Sequence, residues 1–217
     1  MLQGENVMNE FITIKKDEMA EIVEKKSKFI ANIVKIETQK EAEEKIKEIK
    51  KKYYDAKHNC IAYRVYELEN LIEKSSDDGE PSGTAGGPML NILRNQELGN
   101  ILVVVTRYFG GILLGTGGLV RAYSEATLEA LKKAEKVKRV LGIEIQVNLK
   151  YSQFDNFKYY CQKNKINISN INYLENISCI LTMEEETKEK FMEDYNKKDI
   201  ILEQIKILDK KIIDKSI

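Results

Sequence analysis

Apolar residues recur with a period of two, or in short unbroken runs, at Phe11–Lys15, Phe29–Ile36, Cys60–Tyr66 and Ile101–Val105, and this pattern predicts strands there. In Cys60–Tyr66 the residues Ile61, Tyr63 and Val65 alternate against Ala62 and Arg64, whereas Ile101–Val105 is apolar at every position, which predicts a strand covered on both faces. Thr38–Tyr53 changes the period. Ala42, Ile46, Ile49 and Tyr53 share one helical face, and Lys and Glu fill the other. Pro88 fits the first turn of a helix carrying Met89, Leu90, Ile92 and Leu93, and a longer helix from Leu119 to about Ala134 keeps its period through Tyr123, Ala126, Ala130 and Leu131.

The last third has another rhythm. Val140–Leu149 alternates as a strand, Gln153–Asn164 is helical, Ile166–Tyr173 and Ile177–Met183 read as a hairpin around Glu175 and Asn176, Glu184–Lys198 is helical, and Ile200–Leu208 is a final strand. The order β-α-β-β-α-β is the split βαβ arrangement called ferredoxin-like. The expected organisation is α+β with two domains, 1–137 and 138–217, joined by a short linker near Lys138.

Composition narrows the function classes. Of 217 residues, 42% are hydrophobic and 32% charged, which describes a globular chain rather than a disordered one. With 35 basic and 35 acidic side chains the net charge is zero, which argues against indiscriminate electrostatic binding to DNA while leaving room for a local basic face. All five arginines, Arg64, Arg94, Arg107, Arg121 and Arg139, lie in the middle of the chain. Met1–Glu10 lacks the basic and apolar regions of a signal peptide, and no segment approaches a membrane span, so a cytoplasmic protein is expected. Cys60, Cys161 and Cys179 are scattered, with no Cys-x-x-Cys, and are expected as buried thiols rather than a disulfide or metal set.

Ten of the twelve glycines and both prolines lie between Gly79 and Gly118, so unusual backbone angles or close backbone approaches concentrate there. The stretch from Arg107 to Arg121 sets a glycine turn between a buried strand and a helix, which is the layout of an anion site. Thr116 is the expected N-cap. Arg121 then falls in the first helical turn, where the macrodipole disfavours a cation unless an anion is bound beside it. Pairing of Arg121 with Asp77, Asp78 or Glu80 is the competing structural reading. The candidate set for a phosphate-like anion or nucleic acid is Arg64, Arg107, Tyr108, Gly110, Gly111, Gly115, Thr116, Gly117, Gly118 and Arg121. Tyr63, Tyr66, Tyr108, Phe109 and Tyr123 could stack on bases, although each also suits a core.

No Gly-Lys-Ser/Thr follows the glycines, and the order Gly-x-Gly-x-x-Gly is missing, so no nucleotide or other cofactor is expected. The catalytic alternative uses His58, the sole histidine, with Asp77, Asp78 and Glu80 as acid, base or ligands of a divalent cation. The competing roles for these residues are helix caps, turns and structural hydrogen bonds.

Three strings, Lys57–Tyr63, Ser76–Pro88 and Arg107–Leu119, resemble the signature of the YigZ/IMPACT family, and Lys26–Ala31 resembles its opening motif. The resemblance spans the whole chain: the part up to about residue 137 is similar to the IMPACT domain, and the rest to the small ferredoxin-like domain of bacterial members. It implies a first domain like the second domain of a small-subunit ribosomal protein, a fold shared with the fourth domain of elongation factor G, and a second domain like that factor's fifth. Eukaryotic members regulate translation through the activator of an amino-acid-stress kinase, a route that bacterial members lack. RNA or ribosome binding is therefore the expected function, with a hydrolase or phosphoryl-transfer enzyme as the alternative.

Overall fold

The computed structural model describes residues 10–67 and 70–216, and its backbone packing divides the chain after Lys138. Up to that point the elements are β1 (Glu10–Ile14), β2 (Glu18–Glu24), β3 (Ser27–Lys35), α1 (Gln39–Lys52), β4 (His58–Glu67), β5 (Asn70–Ser76), α2 (Gly86–Asn95), β6 (Ile101–Tyr108) and α3 (Gly115–Lys133). Five strands form an antiparallel sheet in the order β2-β3-β6-β4-β5. Central β6 is apolar from Ile101 to Val105 because helices cover both of its faces there. Ile101, Val103 and Val105 pack with α2 and α3, while Leu102 and Val104 pack with Ala42 and Ile49 of α1. The edge strands β2 and β5 are absent from the sequence expectation. The start of α1 is the expected one, with Thr38 accepting a hydrogen bond from the Glu41 N–H at 3.1 Å.

The second unit contains most of β7 (Lys136–Leu149), then α4 (Tyr151–Lys163), β8 (Asn167–Tyr173), β9 (Ile177–Glu184), α5 (Glu185–Asn196) and β10 (Gln204–Ser216). β9 pairs antiparallel with both β7 and β8, and β10 pairs with β7, giving the order β10-β7-β9-β8 of a ferredoxin-like fold. Its core joins alternate residues of β7 and β9 to Phe154, Phe157 and Cys161 of α4 and Phe191 of α5. Where a linker is expected near Lys138, β7 runs through unbroken. The last strand starts at Gln204 rather than Ile200, because Ile200 and Leu202 enter the core as an unpaired lead-in. No described helix is long and apolar enough to cross a membrane.

Candidate nucleic-acid interface

Strand alternation assigns His58, Cys60, Ala62 and Arg64 of β4, together with Arg107 of β6, to the face beneath α2 and α3. The register then sets Phe29, Arg107 and His58 side by side on β3, β6 and β4. Arg107 is only 7% exposed. Its Nη1 donates to Glu80 Oε1 at 2.7 Å, and the same oxygen accepts from the Tyr123 hydroxyl at 2.9 Å and lies 3.9 Å from His58 Nε2. The guanidinium carbon is 5.5 Å from the Phe29 ring centroid and 5.6 Å from that of Phe109, so the cation sits between two aromatic rings.

Glu80 reaches this position because Asp77 ties down the loop that carries it. Asp77 Oδ2 accepts from the Gly83 N–H at 2.8 Å, and Oδ1 accepts from the Ala85 and Gly86 N–H groups, both at 2.9 Å. Asp77 thereby caps α2, whose own N-cap, Ala85, has no side-chain acceptor. Burial pushes the Asp77 carboxyl up, yet the three N–H donors outweigh it and hold the group below its ordinary value. A carboxyl lowered by folding stabilises the protein fully above its unfolded value of about 3.9, and loses that contribution as the pH falls through the folded value. Asp77→Asn should cost about 1 kcal/mol at neutral pH. The gap from the parent protein should close in melts taken at progressively lower pH, as the pH falls through the folded value, and a gap unchanged by acid would show that charge has no part in the cap.

Asp78 is equally engaged. Its Oδ2 accepts from the Asn59 N–H and its Oδ1 faces Lys50 Nζ, both at 2.7 Å, while its carbonyl lies 2.9 Å from His58 Nδ1. Cys60 donates to the Asp77 carbonyl at 3.0 Å, and burial pushes its thiol up to about 12, which makes it a poor nucleophile. Burial also raises the Tyr123 hydroxyl far above its ordinary value, with Cys60 and Glu80 adding to the effect. The fold thus brings His58, Asp77, Asp78 and Glu80 together, as a catalytic set would require, but turns their polar atoms onto backbone groups and neighbouring side chains. Among the described residues no three His, Cys, Asp or Glu side chains converge to hold a metal.

The glycine turn lies next to this cluster. Helix α3 begins at Gly115, four residues earlier than expected, so Thr116 is not the N-cap; that position is Leu114, which supplies no side-chain acceptor. Arg121 is therefore the seventh helical residue rather than part of the first turn, and the macrodipole conflict does not arise. Gly118 falls to the fourth helical position, where its N–H joins the helix ladder. The N–H groups of Gly115, Thr116 and Gly117 point out of the helix start, with no acid in the first turn and no side-chain or turn partner among the described residues. All three residues are exposed, as is Arg121. Arg121 forms no ion pair among the described residues, and it lies one turn beyond Gly117 and Gly118. Because Cα–Cβ bonds tilt toward a helix N-terminus, its side chain leans back over two residues that have none.

Two candidate residues belong elsewhere. Arg64 is buried and bonded to Glu73 Oε1 at 2.7 Å and to the Leu93 and Leu98 carbonyls at 3.2 and 2.9 Å, so it secures the C-terminal end of α2. Tyr108 follows Arg107 and so faces the opposite side of β6. Its hydroxyl donates to Asp55 at 2.7 Å, a bond that raises it to about 12.

Residues missing from the candidate set complete the surface. The Gly110 N–H donates to Ser27 Oγ at 3.2 Å, and Arg107 Nη2 approaches the same oxygen at 3.5 Å. A Cβ on Gly110 would stand 2.0 Å from the Lys26 carbonyl carbon, so the glycine turn presses directly on the turn between β2 and β3. Exposed Lys25 and Lys26, at φ 45° and 65°, thereby adjoin the glycine loop. Their signal in the sequence is a lysine pair at the start of the Lys26–Ala31 string, with Lys25 just before it and Lys26 its first residue.

The Impact N-terminal domain model matches residues 25–131, which include every residue of this surface, and a domain of unknown function, DUF1949, matches residues 147–194. The IMPACT family member YvyE of Bacillus subtilis is 38% identical over 187 residues, covering 86% of this chain and 86% of that protein. An IMPACT family member of Haemophilus influenzae is 37% identical over 192 residues, covering 88% of this chain and 93% of that protein. The crystal structure of a hypothetical protein is similar over 93% of this chain and 97% of its own, at 27% identity and a TM-score of 0.61.

Proposed function

The chain belongs to the IMPACT family, and from that premise we propose a non-enzymatic protein that binds RNA or the ribosome, with a part in translation, through the glycine and arginine face of its N-terminal unit. The uncapped start of α3 carries the reading. Gly115, Thr116 and Gly117 present their N–H groups to solvent at the positive end of a 19-residue helix, and Arg121 leans toward them from one turn away. A phosphate there would satisfy the N–H groups and pair with the guanidinium at once. Lys25 and Lys26 extend the same sign of charge across the neighbouring turn. The hydrolase or phosphoryl-transfer alternative needs a free acid or base, and the carboxylates of Asp77, Asp78 and Glu80 are already engaged.

Binding should be moderate and should weaken as salt rises, because each neutralised phosphate releases a counterion. Arg121→Ala should weaken binding to many RNA sequences alike and lower the salt slope by about one unit, while His58→Ala leaves binding little changed. Anisotropy titrations over a salt series, with ribosome co-sedimentation in parallel, measure both effects. An Arg121→Ala protein with an unaltered slope, or a turnover activity lost in His58→Ala or Asp78→Asn, would sink the reading.

A further inference from the structure

Phe109 follows β6 and is 56% exposed, although a buried cation lies against its ring. Arg107, inside the domain, covers the inner side at 5.6 Å from the centroid, and the outer side remains open. The ring's position is fixed on both flanks: β6 ends before it, and Gly110 behind it is bonded to Ser27 and packed on the Lys26 backbone. Leu113, 82% exposed, and Ile112 continue the apolar surface within the same loop. The turn that carries exposed Lys25 and Lys26 packs on this loop at Gly110, and the open N–H groups of α3 follow the loop directly, with Arg121 one turn further on. An exposed aromatic ring within a cationic rim matches a polymer that carries flat apolar faces on an anionic backbone.

Resting on the RNA-binding reading above, we propose that Phe109 is a stacking platform for an unpaired base, so that the bound RNA is single-stranded where it meets this loop. A duplex keeps its base faces inside its own stack and offers the ring nothing to cover. Arg107 holds the ring from beneath by cation–π attraction, which leaves its outer face for a base to stack on. Glu80 keeps that cation in place, which gives the buried pair a positioning role in the platform.

The chain contains no tryptophan, so Phe109→Trp introduces a single indole at the platform, excited selectively at wavelengths the tyrosines do not absorb. A short fluorescein-labelled oligouridine should bind the parent protein more tightly than the same strand annealed to its complement. Phe109→Ala and Phe109→Leu should each weaken single-strand binding about ten- to a hundredfold, while Phe109→Trp retains it. Unlabelled strand should quench the emission of the introduced indole, and duplex should not. Melting curves taken alongside confirm that each variant is folded, and the leucine variant keeps an apolar side chain over Arg107. Equal affinity for strand and duplex, full binding by Phe109→Leu, or a bound strand that leaves the emission unchanged overturns the platform while the phosphate reading stands. Absence of binding by either RNA at low salt overturns both.

Discussion

Glu80→Ala should lower the stability of the N-terminal unit by about 3–5 kcal/mol, because it leaves the Arg107 guanidinium buried without its counter-charge. The two side chains, Arg107 and Glu80, are 8% and 3% exposed, and Glu80, at 2.7 Å, is the only carboxylate that pairs with Arg107 among the described residues. The Tyr123 hydroxyl loses its acceptor in the same step. For a unit of this size the melting temperature should fall by roughly ten degrees or more. Glu80→Gln/Arg107→Met removes both charges and should recover much of the loss, since replacing a whole buried pair costs far less than orphaning one member. Arg121→Ala, at an exposed position, should stay within about 0.5 kcal/mol of the parent. A Glu80→Ala protein that melts with the parent would show that the pair is not confined as described. It follows that RNA affinity lost in Arg107→Ala cannot be read as a lost phosphate contact, whereas a loss in Arg121→Ala can.

Gly110→Ala should also be severe, and Gly117→Ala should go the other way, although both glycines belong to the same glycine-rich stretch of sequence. A methyl group at Gly110 would lie 2.0 Å from the Lys26 carbonyl carbon, 2.1 Å from its oxygen and 2.4 Å from the Ser27 nitrogen. All three are backbone atoms of a tight turn, so relief requires the β2–β3 turn and the glycine loop to part. The cost of such overpacking is about 1–3 kcal/mol or more. The same movement breaks the bond from Gly110 to Ser27 and shifts Phe109 relative to Lys25 and Lys26, so RNA binding should fall with stability. At Gly117 a methyl group meets nothing within 4 Å, and the residue is already helical. Gly117→Ala should therefore raise stability by up to about 1 kcal/mol. Denaturant titrations of the two variants measure the contrast. If Gly110→Ala unfolds at the parent's midpoint, the two turns are not in contact.

The sequence alone determined the two kinds of unit, the buried central strand and the crowding of glycine around one surface. Each rests on local physics: a period of two or 3.6 shows which side of an element is covered, and glycine marks where the chain needs backbone freedom. Gly115, at φ 71°, is such a position. The expectation failed at β2 and β5 for one reason. Both are edge strands, where charged and polar residues are tolerated, so Glu18–Glu24 and Asn70–Ser76 lack a clean alternation. The role of each arginine was settled only by tertiary structure. Ile101–Val105 is apolar at every position, so nothing local shows which of its two faces carries Arg107 inward. The answer depends on α2 and α3 covering that face, on a register that places Arg107 between Phe29 and His58, and on a loop from Asp77 that brings Glu80 across 27 residues of chain. Arg121 is separated from Arg107 in role by the same means, because α3 starts at Gly115 and carries Arg121 out to solvent while the sheet takes Arg107 inside. Two arginines that flank one motif thus have opposite environments: period shows that a face is covered, but only packing shows by what.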